Sequence, residues 1–267
     1  MPTSPALDQQ KEAGVTFAAP NVYSSVADEY QVATQGVGLL DRSLVGRLRL
    51  TGADALDLLD RLSTNKLDDL AVGQGMYSVL TSNKGRILDL LFVVRLDDHL
   101  MVFTGLENRE KVSEWIDFYT FTEDVAVQDV TEDTALVSLI GPEASSLVGA
   151  LVGRKAASLS QYGSAHASMG EAEVLVVRTD FARLPGYDLV VARARAGALW
   201  TELLNAGARL GVKPVGMEAL EAVRVEQGVP AYGRELTEDA NPLEADLLDF
   251  VSFNKGCYVG QEVVARL

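Results

Sequence analysis

The sequence predicts an α+β fold of mixed and antiparallel sheets packed by helices. Three observations carry this: strand signals that double back as hairpins, helical stretches of 3.6-residue period between them, and no glycine-rich phosphate loop after a strand. Gly36-Val37-Gly38 lacks both the third glycine and the preceding strand of a dinucleotide fingerprint.

Taken in order, Val45–Leu50 reads as a strand with Leu48 and Leu50 on one face and Arg47 and Arg49 on the other. Thr51-Gly-Ala-Asp54 resembles a capping box that opens a helix with Leu56, Leu59 and Leu62 inward. Ile87–Leu96, a turn at Asp97-Asp98-His99, and Leu100–Thr104 form an antiparallel hairpin. Val112, Trp115, Ile116 and Tyr119 recur at helical spacing, which predicts an amphipathic helix over 108–119. Pro142 sits in the first turn of a helix that buries Ala144, Leu147, Val148 and Leu151. Helices follow over 195–206, with Leu199, Trp200 and Leu203 buried, and over 216–227, ended by Gly228. Small and polar residues 153–171 read as a surface loop.

Composition narrows the function classes. The 267 residues carry 23 Lys+Arg against 38 Asp+Glu, a net charge of -15, which repels nucleic acid and anionic membranes. A single cysteine excludes an internal disulfide and a cysteine-rich zinc or iron–sulfur site, so no resident metal is expected. His99 and His166, the only histidines, read as solvated loop residues. Residues 1–14 lack a secretory pattern and no apolar run spans a membrane, so the cytoplasm is the expected compartment.

The C-terminal third carries the chemistry. Gly228, Pro230, Gly233 and Pro242 mark ordered irregular structure, where sites usually sit. Arg224 has two uses open to it: an i, i+3 ion pair with Glu221, or a planar fork for a carboxylate or heterocycle edge. Lys255-Gly-Cys257-Tyr-Val-Gly260-Gln-Glu262 places the lone thiol two residues from a cation and between glycines. A thiol reacts as thiolate, which a nearby cation favours; the alternative is an incidental cysteine packed in a turn.

Together, Arg224-x-Glu226-x-Gly228-x-Pro230, Gly233-x-Glu235-Leu236, Asn241-Pro242-x-Glu244-Ala245 and the Lys255–Glu262 segment resemble the YgfZ family, folate-binding relatives of the glycine cleavage T-protein, an aminomethyltransferase. Asp41-Arg42-Ser43, Leu62-Ser63-Thr64-Asn65, Gly75-Met76-Tyr77 and Asn83–Asp89 extend the resemblance upstream, over roughly residues 35–262.

The resemblance implies a T-protein-like fold. Residues 1–50 and 134–255 would form a discontinuous folate-binding subdomain, with 51–133 an inserted α+β subdomain. Residues 256–267 would start a C-terminal segment whose usual barrel is not in the sequence, with Val263–Leu267 entering it as a strand. It implies a tetrahydrofolate cofactor and a monomer that supports assembly or repair in iron–sulfur client proteins, using no nucleic acid or membrane. Arg224, Lys255, Asp89 and Tyr258 would bind the folate, Asp89 through the donor edge of the pterin, and Cys257 would be the working thiol. The alternative is a folate-dependent aminomethyl transferase. Against it, T-proteins carry paired aspartates where Asp89 is followed by Leu90, and a glutamate after the Arg-Thr pair that Arg178-Thr179-Asp180-Phe181 lacks.

Overall fold

The structure, a computed structural model, describes residues 21–170 and 172–265. Residues 1–14, read as lacking a secretory signal, lie outside them. Along the chain come α1 (Val26–Gln35), β1 (Gly38–Asp41), β2 (Gly46–Thr51), α2 (Ala55–Leu62) and β3 (Gly75–Thr81). The hairpin β4 (Ile87–Arg95) and β5 (Leu100–Thr104) follows, then α3 (Arg109–Phe118), β6 (Ala126–Asp129) and β7 (Thr134–Ile140). Next are α4 (Ala144–Leu151), α5 (Arg154–Ala157), β8 (Ser164–Met169), β9 (Ala172–Arg178) and β10 (Gly186–Ala192). The last are α6 (Ala196–Ala206), β11 (Lys213–Pro214), α7 (Met217–Glu226) and α8 (Gln261–Val264). The predicted α+β class is the observed one.

The elements form two compact units: residues up to Leu44 with Glu132–Val229, and Val45–Thr131 with Pro230 onward. The insertion thus spans 45–131, against 51–133 in the sequence reading. Residues 230–255, which that reading gives to the discontinuous subdomain, belong to the second unit. Leu236 and Leu247 bury themselves there against Val79 and Ile87.

Unit one is built on a six-stranded sheet of order β11-β1-β7-β10-β9-β8, antiparallel apart from the β1–β11 pair. One apolar cluster joins Leu39, Val137, Leu139 and Leu189 of the sheet to Leu147 and Val148 of α4 and Leu199, Trp200 and Leu203 of α6. A second joins Leu40 and Ile140 to Ala33 of α1 and Ala219, Leu220 and Val223 of α7. The alternating strand residues thus divide between two helical layers. Buried Glu29 accepts the amides of Tyr23 at 2.6 Å, Ser24 at 2.6 Å and Gly216 at 2.7 Å, binding the starts of α1 and α7 together. The segment read as a surface loop contains α5 and the edge strand β8. Its residues are too small to advertise a strand, but pairing with β9 supplies the backbone partners.

Unit two holds a five-stranded antiparallel sheet of order β3-β4-β5-β2-β6. Leu48, Leu50, Leu91, Val93 and Val102 meet Leu58, Leu59 and Leu62 of α2 and Val112 and Ile116 of α3. The capping box at Thr51 does not form: the Asp54 carboxylate accepts the Asp124 amide at 2.8 Å, and Leu58 rather than Leu56 is buried. Arg47, on the strand face away from Leu48 and Leu50, is fully buried, donating to the carbonyls of Val45 at 2.5 Å and Thr131 at 2.6 Å. His99 is largely covered, its ring Nδ1 2.6 Å from the Asp98 carboxylate, while His166 is exposed on β8. Of Val263–Leu267, read as the start of a strand, Val263 and Val264 instead close a helical turn, Gln261–Val264, and residues 266–267 lie outside the described residues. Gly260 at φ 84° reverses the chain there, and its carbonyl accepts the amides of Val263 and Val264.

After α3 the chain turns through Phe121 and Thr122, whose amides bond the Glu123 carboxylate at 2.9 and 3.0 Å. These amides and Arg61 hold its pKa down, from 4.5 to about 2. A carboxylate depressed by folding stabilises fully above its unfolded value, and that contribution fades as pH falls toward the folded one. Urea unfolding of wild type and Glu123→Gln should therefore show a stability gap at pH 7 that closes between pH 4.5 and about 2. A gap independent of pH would contradict this account.

Candidate functional site

Residues 252–260 of unit two cross the end of α2 and the β3–β4 turn, and are fastened to both. The Ser252 amide donates to the Thr64 carbonyl and the Val259 amide to the Arg61 carbonyl, each at 2.9 Å. The Thr64 hydroxyl reaches the Phe250 carbonyl at 2.7 Å, and the Thr81 hydroxyl reaches that of Val259 at 2.6 Å. Gly260 lies so close to the turn that a Cβ there would come within 2.5 Å of the Ser82 carbonyl oxygen and 2.9 Å of Gly85 Cα. Two motifs distant in sequence, Asn83–Asp89 and Lys255–Glu262, therefore meet glycine against glycine.

Between these fastenings the predicted site residues have three different environments. The Lys255 ammonium is buried, donating to the carbonyls of Asp60 (2.6 Å), Ser63 (2.9 Å) and Asn65 (2.6 Å), with the Asp60 carboxylate at 3.0 Å. Burial pushes its pKa down, opposed by Asp60. The cation that the resemblance directs at folate is thus surrounded by oxygens of its own unit. Cys257 is exposed, and beside it Gly256 has open space where a side chain would stand. Tyr258 is buried with Val251 and Val264; burial raises its phenol to about 12, so it stays a donor, and its hydroxyl has no partner among the described residues.

Asp89 on β4 is buried, not at a solvent-facing strand edge. Its carboxylate accepts the Thr104 hydroxyl, the Gly105 amide at 3.1 Å and the Leu90 amide at 2.8 Å. Burial raises its pKa, and these hydrogen bonds partly restore the ionised form. Asn108 steadies the same corner through the Leu88 carbonyl at 3.1 Å.

Arg224 belongs to unit one, in the last turn of α7. It forms the i, i+3 pair: both Glu221 carboxylate oxygens accept from it, from Nε at 2.5 Å, while Nη1 donates to the Val229 carbonyl at 3.0 Å. The guanidinium is largely buried and its fork occupied. Sequence reasoning missed a second, half-buried arginine cluster in the same unit. Arg42 donates to both oxygens of Asp188, at 2.8 and 3.0 Å, and its guanidinium lies 3.9 Å over the Phe181 ring. The Ser138 hydroxyl joins Asp188 at 2.5 Å. The one signal was Asp41-Arg42-Ser43, quoted only as a motif. Among the described residues no group of three or more His, Cys, Asp and Glu is placed to hold a metal ion.

Removing a buried acceptor strands each donor at about 1–3 kcal/mol. Asp89→Ala leaves the Thr104, Gly105 and Leu90 donors without one. It should lower unfolding free energy by about 3 kcal/mol or more, read from urea melts. A change under about 1 kcal/mol would deny this corner its structural weight.

Comparison with known proteins agrees with the fold. The family model described as the GCVT N-terminal domain matches residues 9–255. An aminomethyltransferase of Chlorobaculum tepidum is 31% identical over 256 residues, covering 94% of this chain and 70% of that protein. One from Bacillus pumilus is 32% identical over 251 residues, covering 92% and 68%. The crystal structure of the glycine cleavage system aminomethyltransferase T from Bartonella henselae superposes with a TM-score of 0.86 at 23% identity, over 98% of this chain and 73% of that one. These matches carry the T-protein side of the resemblance and do not single out its YgfZ branch. Among the described residues no helix is long and apolar enough to cross a membrane. On the model match and these identities, the chain belongs to the GCVT N-terminal domain family.

Proposed function

We propose that this chain binds tetrahydrofolate and handles a one-carbon unit on it, as a domain of the aminomethyltransferase kind. The observation that carries the reading is the aminomethyltransferase relatedness along almost the whole chain, 94% of it at 31% identity. Bound tetrahydrofolate supplies the nitrogens that carry the one-carbon unit. What this chain supplies is recognition. Arg224 is the group suited to a ligand carboxylate: planar, permanently charged and held at the end of a helix. Glu221 occupies that fork, so ligand and Glu221 compete for it. The Tyr258 hydroxyl offers a buried donor, and Asp89 fixes the corner at Gly105.

A second reading, support of iron–sulfur client proteins in the cytoplasm by a monomer, is favoured by one observation. Cys257 is exposed on a segment fastened at both ends. Leu90 in place of a second carboxylate also weakens proton handling of the transferase type.

Tetrahydrofolate titration tests the shared part. Arg224→Ala should weaken binding about 10- to 100-fold, the worth of a charge-assisted pair. Glu221→Gln should strengthen it, and Cys257→Ala should leave it unchanged. A wild type with no tetrahydrofolate affinity defeats both readings. Turnover with an aminomethyl group on a lipoyl carrier separates them. Transfer that survives Cys257→Ala supports the transferase. No transfer, with loss of iron–sulfur enzyme rescue in Cys257→Ala, supports the second.

A further inference from the structure

The end of α2 and the Lys255 side chain answer each other's deficits. A helix terminates with carbonyls that lack amide partners and with negative potential. A buried ammonium needs three acceptors and a compensating charge. Asp60, Ser63 and Asn65 supply the three carbonyls and the Asp60 carboxylate the charge, leaving the lysine side chain 1% exposed. The acceptors are themselves immobile. The Asn65 amide donates to Ser78 Oγ at 2.8 Å and Asn65 Nδ2 to the Tyr77 carbonyl at 2.9 Å, so this corner is fixed to β3. All three ammonium protons have acceptors, and nothing in this geometry offers one to a ligand.

We propose that Lys255 is a positioning residue: its ammonium caps the end of α2 and thereby fixes the backbone that presents the Cys257 thiol. Lys255 and the Thr81–Val259 bond bracket residues 256–258, so the thiol stands on a short span held at both ends. Gly256 leaves the space beside it open. The Leu62–Asn65 and Lys255–Glu262 motifs are on this account two halves of one device. A cation whose protons are already taken fixes where the thiol is, while a free cation would change how readily it ionises.

The two roles differ in what they move. Cys257 is the only cysteine, so iodoacetamide reports it alone in the intact chain. In Lys255→Met, hydrogen exchange at the Ser252 and Val259 amides should accelerate about tenfold or more, while the rest of unit two stays protected. The midpoint of the alkylation pH profile should stay within about half a unit of wild type, since the proposal gives Lys255 no part in thiol ionisation. Asp60→Asn keeps the Oδ1 acceptor, removes the charge and turns the other oxygen into an amide. It should act in the same direction more weakly, and carries the test if Lys255→Met does not fold. Retained protection in the variants overturns the proposal, and so does a midpoint raised by a unit or more. The bearing on ligand binding rests on the folate reading: tetrahydrofolate affinity should fall in the variants that lose protection. A wild type that binds no tetrahydrofolate defeats that reading alone, and exchange and alkylation still decide the role of Lys255.

Discussion

A cation enclosed by the protein, the Lys255 ammonium, is the constraint around which the Cys257 end of unit two is arranged. Burying an ammonium costs several kcal/mol unless oxygen partners replace its hydration. The partners of Lys255 are the Asp60 carboxylate and three main-chain carbonyls, and the carbonyls cannot be moved without unwinding α2 or detaching β3. The lysine consequently holds in place a backbone that its own segment only visits. Everything presented there, the Cys257 thiol and the buried Tyr258 phenol included, takes its position from that match.

The same physical solution recurs. Glu29, Arg47 and Asp89 are buried and charged or chargeable, and backbone groups supply much of their pairing. Glu29 and Arg47 join segments far apart in sequence and Asp89 joins the two strands of one hairpin, so each fixes geometry that apolar packing leaves loosely specified. Arg224 and Arg42 differ in being paired with carboxylates. A carboxylate partner can be exchanged for a ligand's carboxylate, whereas a carbonyl of a helix end cannot. Lys255 has a carboxylate partner too, but three carbonyls take its protons, and that separates it from Arg224 as a candidate for recognition.

Much of the fold was legible because it rests on periodicity. The hairpin of β4 and β5 and helix α7 form where the sequence reading expects them, and α3, α4 and α6 pack the apolar positions whose spacing announced them. Edge strand β8 was hidden, since Ser164, Ala165, Ala167 and Ser168 carry little β preference and only pairing with β9 makes them a strand. The burial of Arg47 was not legible, because alternation reports which face a residue takes, not whether that face is covered. The site was legible as motifs but not as roles. Lys255 and Cys257 are two residues apart, yet one is enclosed and the other open, because the partners of Lys255 lie about 190 residues upstream. Residue spacing holds no trace of those partners.

Arg47 has one more consequence. Its guanidinium binds the carbonyl of Val45, where the chain enters unit two, and that of Thr131, where the inserted stretch ends. The two ends of an 87-residue excursion are thus tied together at its mouth. Closure entropy grows only with the logarithm of loop length, about 0.6 kcal/mol per doubling. With the mouth tied, the turns of this excursion are places where the chain can lengthen over evolutionary time at small thermodynamic cost.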